Sequence, residues 1–233
     1  LSRPPGRFPR ISLICLENTH NRRGGIAIPV ERMRAIKEVA ERYGVKVHLD
    51  GARIFNAALA LGVDVKEIAA CADSVMFCLS KGLGAPVGSV LTGPADFIAE
   101  ARKARKRLGG AMRQAGVIAA AGIVALTEMV DRLIEDHENA KLLARELARL
   151  PLLEVDPERV QTNMVMVGTQ KLGLTAEQFA QKALRKGLKV SCYGKYTVRL
   201  VTHKDVSRED VLEAARIISE IVSEAMQIDR DDV

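Results

Sequence analysis

The sequence has no tryptophan, and its five Phe and three Tyr bring the aromatic share to only 3% of 233 residues. A chain this poor in flat rings lacks the stacking platforms that hold single-stranded nucleic acid. Cysteine is scarce as well. Cys15, Cys71, Cys78 and Cys192 form no C-x-x-C pair and no zinc spacing, so neither a metal site nor a disulfide framework is expected. Three of them lie in apolar runs, which suggests reduced core cysteines in a cytoplasmic protein. No stretch approaches the ~18 uninterrupted apolar residues of a membrane span. The first ten residues read as a loop entering a strand. They carry Pro, Gly and Arg but no apolar run, so no signal peptide is expected there.

What the chain does have is apolar residues, 48% of the total, enough for a substantial core in one large domain or in a large and a small one. The net charge is +6. The densest basic run, RKARKR at 102–107, has no aromatic interleaved. It reads as a solvated helix face, with a phosphate or subunit contact as the alternative, and no nucleic-acid partner is expected.

Strands are predicted over 11–16, 45–50, 74–79, 87–91, 163–167, 189–192 and 198–201. Helices are predicted over 29–43, 54–61, 65–71, 94–108, 115–125 and 175–185, with a last one from Ser207. Pro29 and Pro94 suit helix starts and Gly44 a stop, while Gly24 and Gly25 mark a loop. Residues 115–125 are Ala-rich and apolar all round, the composition of a buried helix, and lead into a charged helical region ending near Leu150. Thr175 with Gln178 makes a capping box, and Ser207 with Asp210 is similar. Val211, Leu212, Ala215, Ile218, Ile221 and Val222 form the apolar stripe of the last helix. Strands alternating with helices imply an α/β fold with a largely parallel sheet. The change of texture near 130–150 separates a large domain, 1–132, from a smaller C-terminal α/β domain, 133–233.

In open parallel sheets, ligands bind beyond the carboxyl ends of the strands. Two charged residues fall there: Asp50 after VKVHL and Lys81 after SVMFCLS. A lysine that ends an apolar strand must reach solvent, an anion, or a carbonyl with which its neutral amine forms an imine. Gly82 and Gly84 would let the backbone turn tightly around a bulky ligand. On spacing alone, a surface lysine in a Gly-rich loop explains the pattern at least as well.

Five segments in order change that balance: LICLENTHNRRGG (13–25), HLDGARIFNAA (48–58), CLSKGLGAPVGSVLTG (78–93), GGAMRQAG (109–116) and VRLVTH (198–203). Together they resemble the threonine aldolase family, one of the aminotransferase-like, fold type I enzymes that use pyridoxal 5'-phosphate (PLP) and build their sites between two subunits. The resemblance implies that Lys81 holds the cofactor as a Schiff base and that Asp50 pairs with its pyridine nitrogen. Arg53 and Arg199 would bind the substrate carboxylate, Arg53 lying within reach of the cofactor too. Ser80 would donate to the phosphate or cap its turn. In the loop Glu17, Asn18, Thr19 and His20, His20 would take part in proton transfer or hold a structural hydrogen bond. His48 reads as structural, and Arg113 would reach a neighbouring subunit's site.

The implied reaction is retro-aldol cleavage of threonine, allo-threonine and related β-hydroxy-α-amino acids to glycine and an aldehyde. The alternatives are a β-eliminating amino-acid lyase on the same scaffold and a catalytically impaired fragment. Family members carry about a hundred further residues ahead of this segment, most of a domain's length. That part supplies a phosphate-binding turn and a histidine stacked on the cofactor ring, so the large domain is expected to be partial. The expected partners are an amino-acid substrate and one or three further copies of the chain, with no membrane and no metal.

Overall fold

A computed structural model describes residues 10–231, with side chains to 227. The loop expected over the first ten residues lies outside the described residues except for Arg10. The fold comprises two compact units. One takes the residues up to Asn21 with Ala27–Leu133; the other takes Arg22–Ile26 and everything from Ile134 onward.

The first unit is built on a four-stranded sheet in the order β1 (Leu13–Glu17), β2 (Lys46–Asp50), β3 (Ser74–Cys78) and β4 (Ser89–Thr92). The first two pairings are parallel, while β4 returns antiparallel to β3. Parallel neighbours need crossovers. Helix α1 (Val30–Arg42) supplies the first, and α2 (Ile54–Leu61) with the short α3 (Val65–Ala69) supplies the second. α1 ends where Gly44 takes a left-handed φ of 64°, a conformation that glycine adopts without steric cost. Val30 and Met33 of α1 pack with Leu49 of the central strand and with Ile54, Ile68 and Val75. Val47, Leu49, Met33 and Ile68 have no exposed surface. Burying each such side chain contributes about 1.5–3 kcal/mol.

Asp73, in the turn before β3, ties the sheet to α1. Its Oδ2 accepts from Lys37 Nζ at 2.5 Å and from the Val47 N–H at 2.8 Å, and its Oδ1 accepts from Lys46 Nζ at 3.2 Å. Burial alone would raise this carboxyl. The bonds from Lys37, Val47 and Lys46 outweigh that and bring it down to about 2.

Helices α4 (Ala95–Arg107) and α5 (Gly116–Glu128) follow β4. The buried helix expected at 115–125 is a helix, but it is not buried: only Gly122 and Ala125 are covered, and Val117 is 87% exposed. The reason is contact. A helix apolar all round needs neighbours on every side, and here it meets the unit along one line, where Gly122 lies against Leu79. The cysteine expectation is corrected as well. Cys71 is buried and Cys78 partly so, but Cys15 and Cys192 are exposed; all four are free. Among the described residues β1 is an edge strand, and its Leu13 and Cys15 are exposed.

The second unit comprises α6 (Leu133–Ala148), β5 (Met164–Gly168), α7 (Ala176–Arg185), β6 (Ser191–Gly194), β7 (Thr197–Val201) and α8 (Arg208–Asp231). Its sheet runs β5-β7-β6 and is wholly antiparallel. Val165, Val167, Val198 and Leu200 share one face of it with Leu143 and Leu147 of α6, Phe179 of α7, and Ile218 and Ile221 of α8. Both expected caps are present. Thr175 and Gln178 bond reciprocally, and so do Ser207 and Asp210. On α8, Leu212 is 45% exposed and leaves the expected stripe, while Ala214 and Ile217 join it. No helix among the described residues is long and apolar enough to cross a membrane.

Candidate functional site

Because β1, β2 and β3 run parallel, their carboxyl ends share one edge of the sheet. Glu17 and Asp50 stand side by side there, with Met76 next in register. The Asp50 side chain is exposed. Its Oδ1 accepts from the Ala52 N–H at 3.0 Å, and its carbonyl accepts from the Asn18 N–H at 2.9 Å. The strand-end turn and the open carboxylate therefore coexist. Gly51 makes the next step possible: its N–H donates to the Met76 carbonyl at 2.8 Å, and a Cβ would stand 2.9 Å from that same oxygen. The chain then turns into α2, with the half-buried Arg53 as its N-cap residue, three positions after Asp50.

The loop after β3 carries Ser80 and Lys81. Leu79, Leu83 and Ala85 are buried and pin the loop to a small apolar cluster. The Leu79 N–H donates to the Gly88 carbonyl at 3.0 Å, the Ala85 N–H to the Leu79 carbonyl at 3.0 Å, and the Gly84 N–H to the Lys81 carbonyl at 2.9 Å. Gly84 takes a φ of 75° to close this turn. Between these anchors Ser80 and Lys81 point outward. Ser80 Oγ makes a long bond of 3.5 Å to the Gly88 carbonyl. Among the described residues, nothing engages the Lys81 amine.

The loop after β1 is more tightly built than its sequence suggests. Asn18 is fully buried. Its Nδ2 donates to the Ile28 carbonyl and its Oδ1 accepts from the Ile28 N–H, both at 3.0 Å. That staple fixes the loop across ten residues, and its partner could not be read locally from the sequence. Glu17 accepts from the Asn21 N–H at 3.0 Å and lies 3.9 Å from His20 Nε2. Thr19 Oγ1 and His20 Nδ1 are buried atoms without a hydrogen-bond partner among the described residues. Leaving such an atom unsatisfied costs about 1–3 kcal/mol. His48 is occupied, its Nδ1 lying 2.8 Å from Ser74 Oγ.

Lys81, Asp50, Ser80, Arg53 and His20 thus belong to one unit and follow the ends of neighbouring strands. Arg199 belongs to the second unit. On β7 it lies on the face opposite Val198 and Leu200, opposite Met166 in register, with its guanidinium 4.9 Å from the Tyr193 ring centre. Arg113 is exposed between α4 and α5. Among the described residues no group of three His, Cys, Asp or Glu side chains could hold a metal ion.

A mostly parallel sheet with a carboxylate and an unengaged lysine at its carboxyl edge, followed by a second α/β unit, has the aminotransferase-like fold. The PLP-dependent aminotransferase of Streptococcus suis matches it with a TM-score of 0.69 at 18% identity, over 91% of this chain and 57% of that one. The threonine aldolase of Leishmania major matches with a TM-score of 0.73 at 18% identity, over 91% and 61%. The chain belongs to the beta-eliminating lyase family, whose model matches residues 2–170. Low-specificity L-threonine aldolase 1 of Arabidopsis thaliana is 45% identical to it over 205 residues, 88% of this chain and 57% of the relative. The chain therefore spans 57% of the length of that curated relative.

Proposed function

We propose that the protein acts as a PLP-dependent aldolase, cleaving threonine, allo-threonine and related β-hydroxy-α-amino acids to glycine and an aldehyde. The observation that carries this reading is the placement of an exposed carboxylate, Asp50, and an exposed lysine, Lys81, at or just after the carboxyl ends of two adjacent parallel strands, with nothing among the described residues engaging the Lys81 amine. Identity of 45% to a relative named for that activity supports it. The residues present fit the cofactor: besides Asp50 and Lys81, Thr19 Oγ1 and His20 Nδ1 in the loop after β1 are buried polar atoms that lack a partner among the described residues.

When bound, PLP supplies an electron-poor ring that takes up the electron pair released at the substrate α-carbon. The protein does the rest. The Lys81 amine would hold the cofactor covalently, and the Asp50 carboxylate would keep a proton on the ring nitrogen. Ser80 would donate to the phosphate. The Arg53 and Arg199 guanidiniums would grip the substrate carboxylate and so fix the orientation of the amino acid. His20 would hold or move a proton at Nε2, beside Glu17. The working unit would be a homodimer or homotetramer in the cytoplasm, with a role in threonine catabolism.

The test is borohydride reduction of PLP-loaded protein followed by peptide mass mapping, together with product analysis on threonine. A pyridoxyl label on Lys81, with glycine and acetaldehyde as products, is the expected result. A label on another lysine would overturn the assignment of Lys81. Ammonia and a keto acid as products would replace the aldolase by a β-eliminating lyase, the activity for which the family is named.

A further inference from the structure

The second unit holds a cleft of about 610 Å³ that the reading above does not use. Its floor is apolar, made by Val160 and by two methionines of β5, Met164 and Met166. Its rim carries four cations, Arg22, Arg23, Arg159 and Lys171, against two carboxylates, Glu154 and Asp156. Lys171 is already paired with Glu154 at 3.3 Å. An Asp156 oxygen accepts from the Glu158 N–H at 3.1 Å, capping the single-turn helix Pro157–Arg159. Arg22, Arg23 and Arg159 remain. Their guanidiniums make no hydrogen bond or ion pair among the described residues.

These arginines stand on anchored backbone. Gly24 and Gly25, next to Arg22 and Arg23, have φ of 80° and 78°. A Cβ on Gly24 would meet Met166 Cγ at 2.8 Å, and one on Gly25 would meet Thr162 Oγ1 at 2.5 Å. Thr162 Oγ1 donates to the Gly25 carbonyl at 2.7 Å and is buried. The turn is thereby clamped onto β5 and holds two guanidiniums at the rim, while the capped helix holds the third. Free guanidinium forks above a methionine floor form a preorganised receptor for an oxyanion on an apolar body. The volume is that of a small-molecule site.

We propose that this cleft binds a small organic oxyanion, with its phosphate or carboxylate head against Arg22, Arg23 and Arg159 and its apolar body on Met164 and Met166. The test is calorimetric titration of the full chain with phenyl phosphate, benzoate and inorganic phosphate. Phenyl phosphate or benzoate should bind more tightly than inorganic phosphate, and whichever of the two binds more tightly identifies the head group. The double variant Arg22→Gln, Arg159→Gln should weaken that binding by about tenfold or more. The single variant Arg23→Gln provides an independent reading if the double variant loses its fold. Three results would each overturn the proposal: no binding of either organic anion, inorganic phosphate binding as tightly as both, or folded variants binding like the parent.

Discussion

Replacing Asp73 by Asn removes one negative charge from a site where Lys37, Lys46 and the Val47 N–H converge on a single carboxylate. The side chain is 21% exposed, so solvent screens it only in part. Its carboxyl sits at about 2, against an ordinary value of 3.8. That gap corresponds to about 2 kcal/mol of folding stability. The sign follows from proton binding: above pH 3.8 both states are ionised and the full contribution is present, and it is lost as pH falls through the folded value near 2. Asp73→Asn should therefore cost about 2 kcal/mol at pH 7, with the difference from the parent closing as pH approaches 2. Urea unfolding at several pH values measures the difference, and hydrogen exchange at the Val47 amide localises it to β2. Equal stability of parent and variant at pH 7 would refute the reasoning. So would a deficit that persists undiminished at pH 2.

Three further outcomes are expected. Burial, with a smaller push from Lys141, lowers His137 to about 4 from an ordinary 6.5, so the unfolded chain takes up this proton first; stability should fall by about 3 kcal/mol as pH drops from 6.5 to 4, and His137→Asn should flatten that slope in pH-dependent unfolding. Gly51→Ala forces a Cβ to within 2.9 Å of the Met76 carbonyl and should destabilise the first unit by about 1–3 kcal/mol, read as a lowered melting temperature. Asp50→Asn should leave melting unchanged, because the amide oxygen still accepts from the Ala52 N–H, yet weaken PLP binding in a cofactor titration; a variant that loads like the parent would argue against contact between Asp50 and the ring.

Much of the fold was legible because it follows from local rules. The Thr175–Gln178 box, the Ser207–Asp210 pair and the Gly44 stop are short-range hydrogen bonds and backbone preferences written in adjacent residues. The parallel order of β1 to β3 follows from helices that alternate with strands. Burial was less legible, because periodicity states which residues share a face and not whether anything covers it. The stretch 115–125 has the composition of a buried helix and is exposed. β1 is wholly apolar until Glu17, and its Leu13 and Cys15 are exposed too. The antiparallel pairing of β5, β7 and β6 was hidden for another reason: pairing depends on where distant segments meet.

The candidate site divides along the same line. Lys81 and Asp50 could be singled out as candidates in the sequence because each follows a strand end, the place where an open parallel sheet puts its ligands, and because five segments in order resemble one family. The structure adds the reason that Lys81 is available. Leu79, Leu83 and Ala85 hold its loop against the core, and Gly84 turns the chain back, so the lysine stands out from a fixed backbone. A surface lysine in a loose loop would lose that freedom on binding a ligand, whereas here most of the ordering is complete before a ligand arrives. The Asn18 staple holds the loop after β1 in the same way. It positions Thr19 and His20 through Ile28, ten residues away, a contact that exists only once the chain has returned. Rigidity at this edge is therefore a tertiary property. Asn18→Ala, which removes a side chain bonded to Ile28 and to none of the proposed ligand-binding side chains, should loosen the loop and weaken PLP loading, with hydrogen exchange rising over residues 18–21; unchanged loading alongside faster exchange would show that the loop's order does not matter to the site.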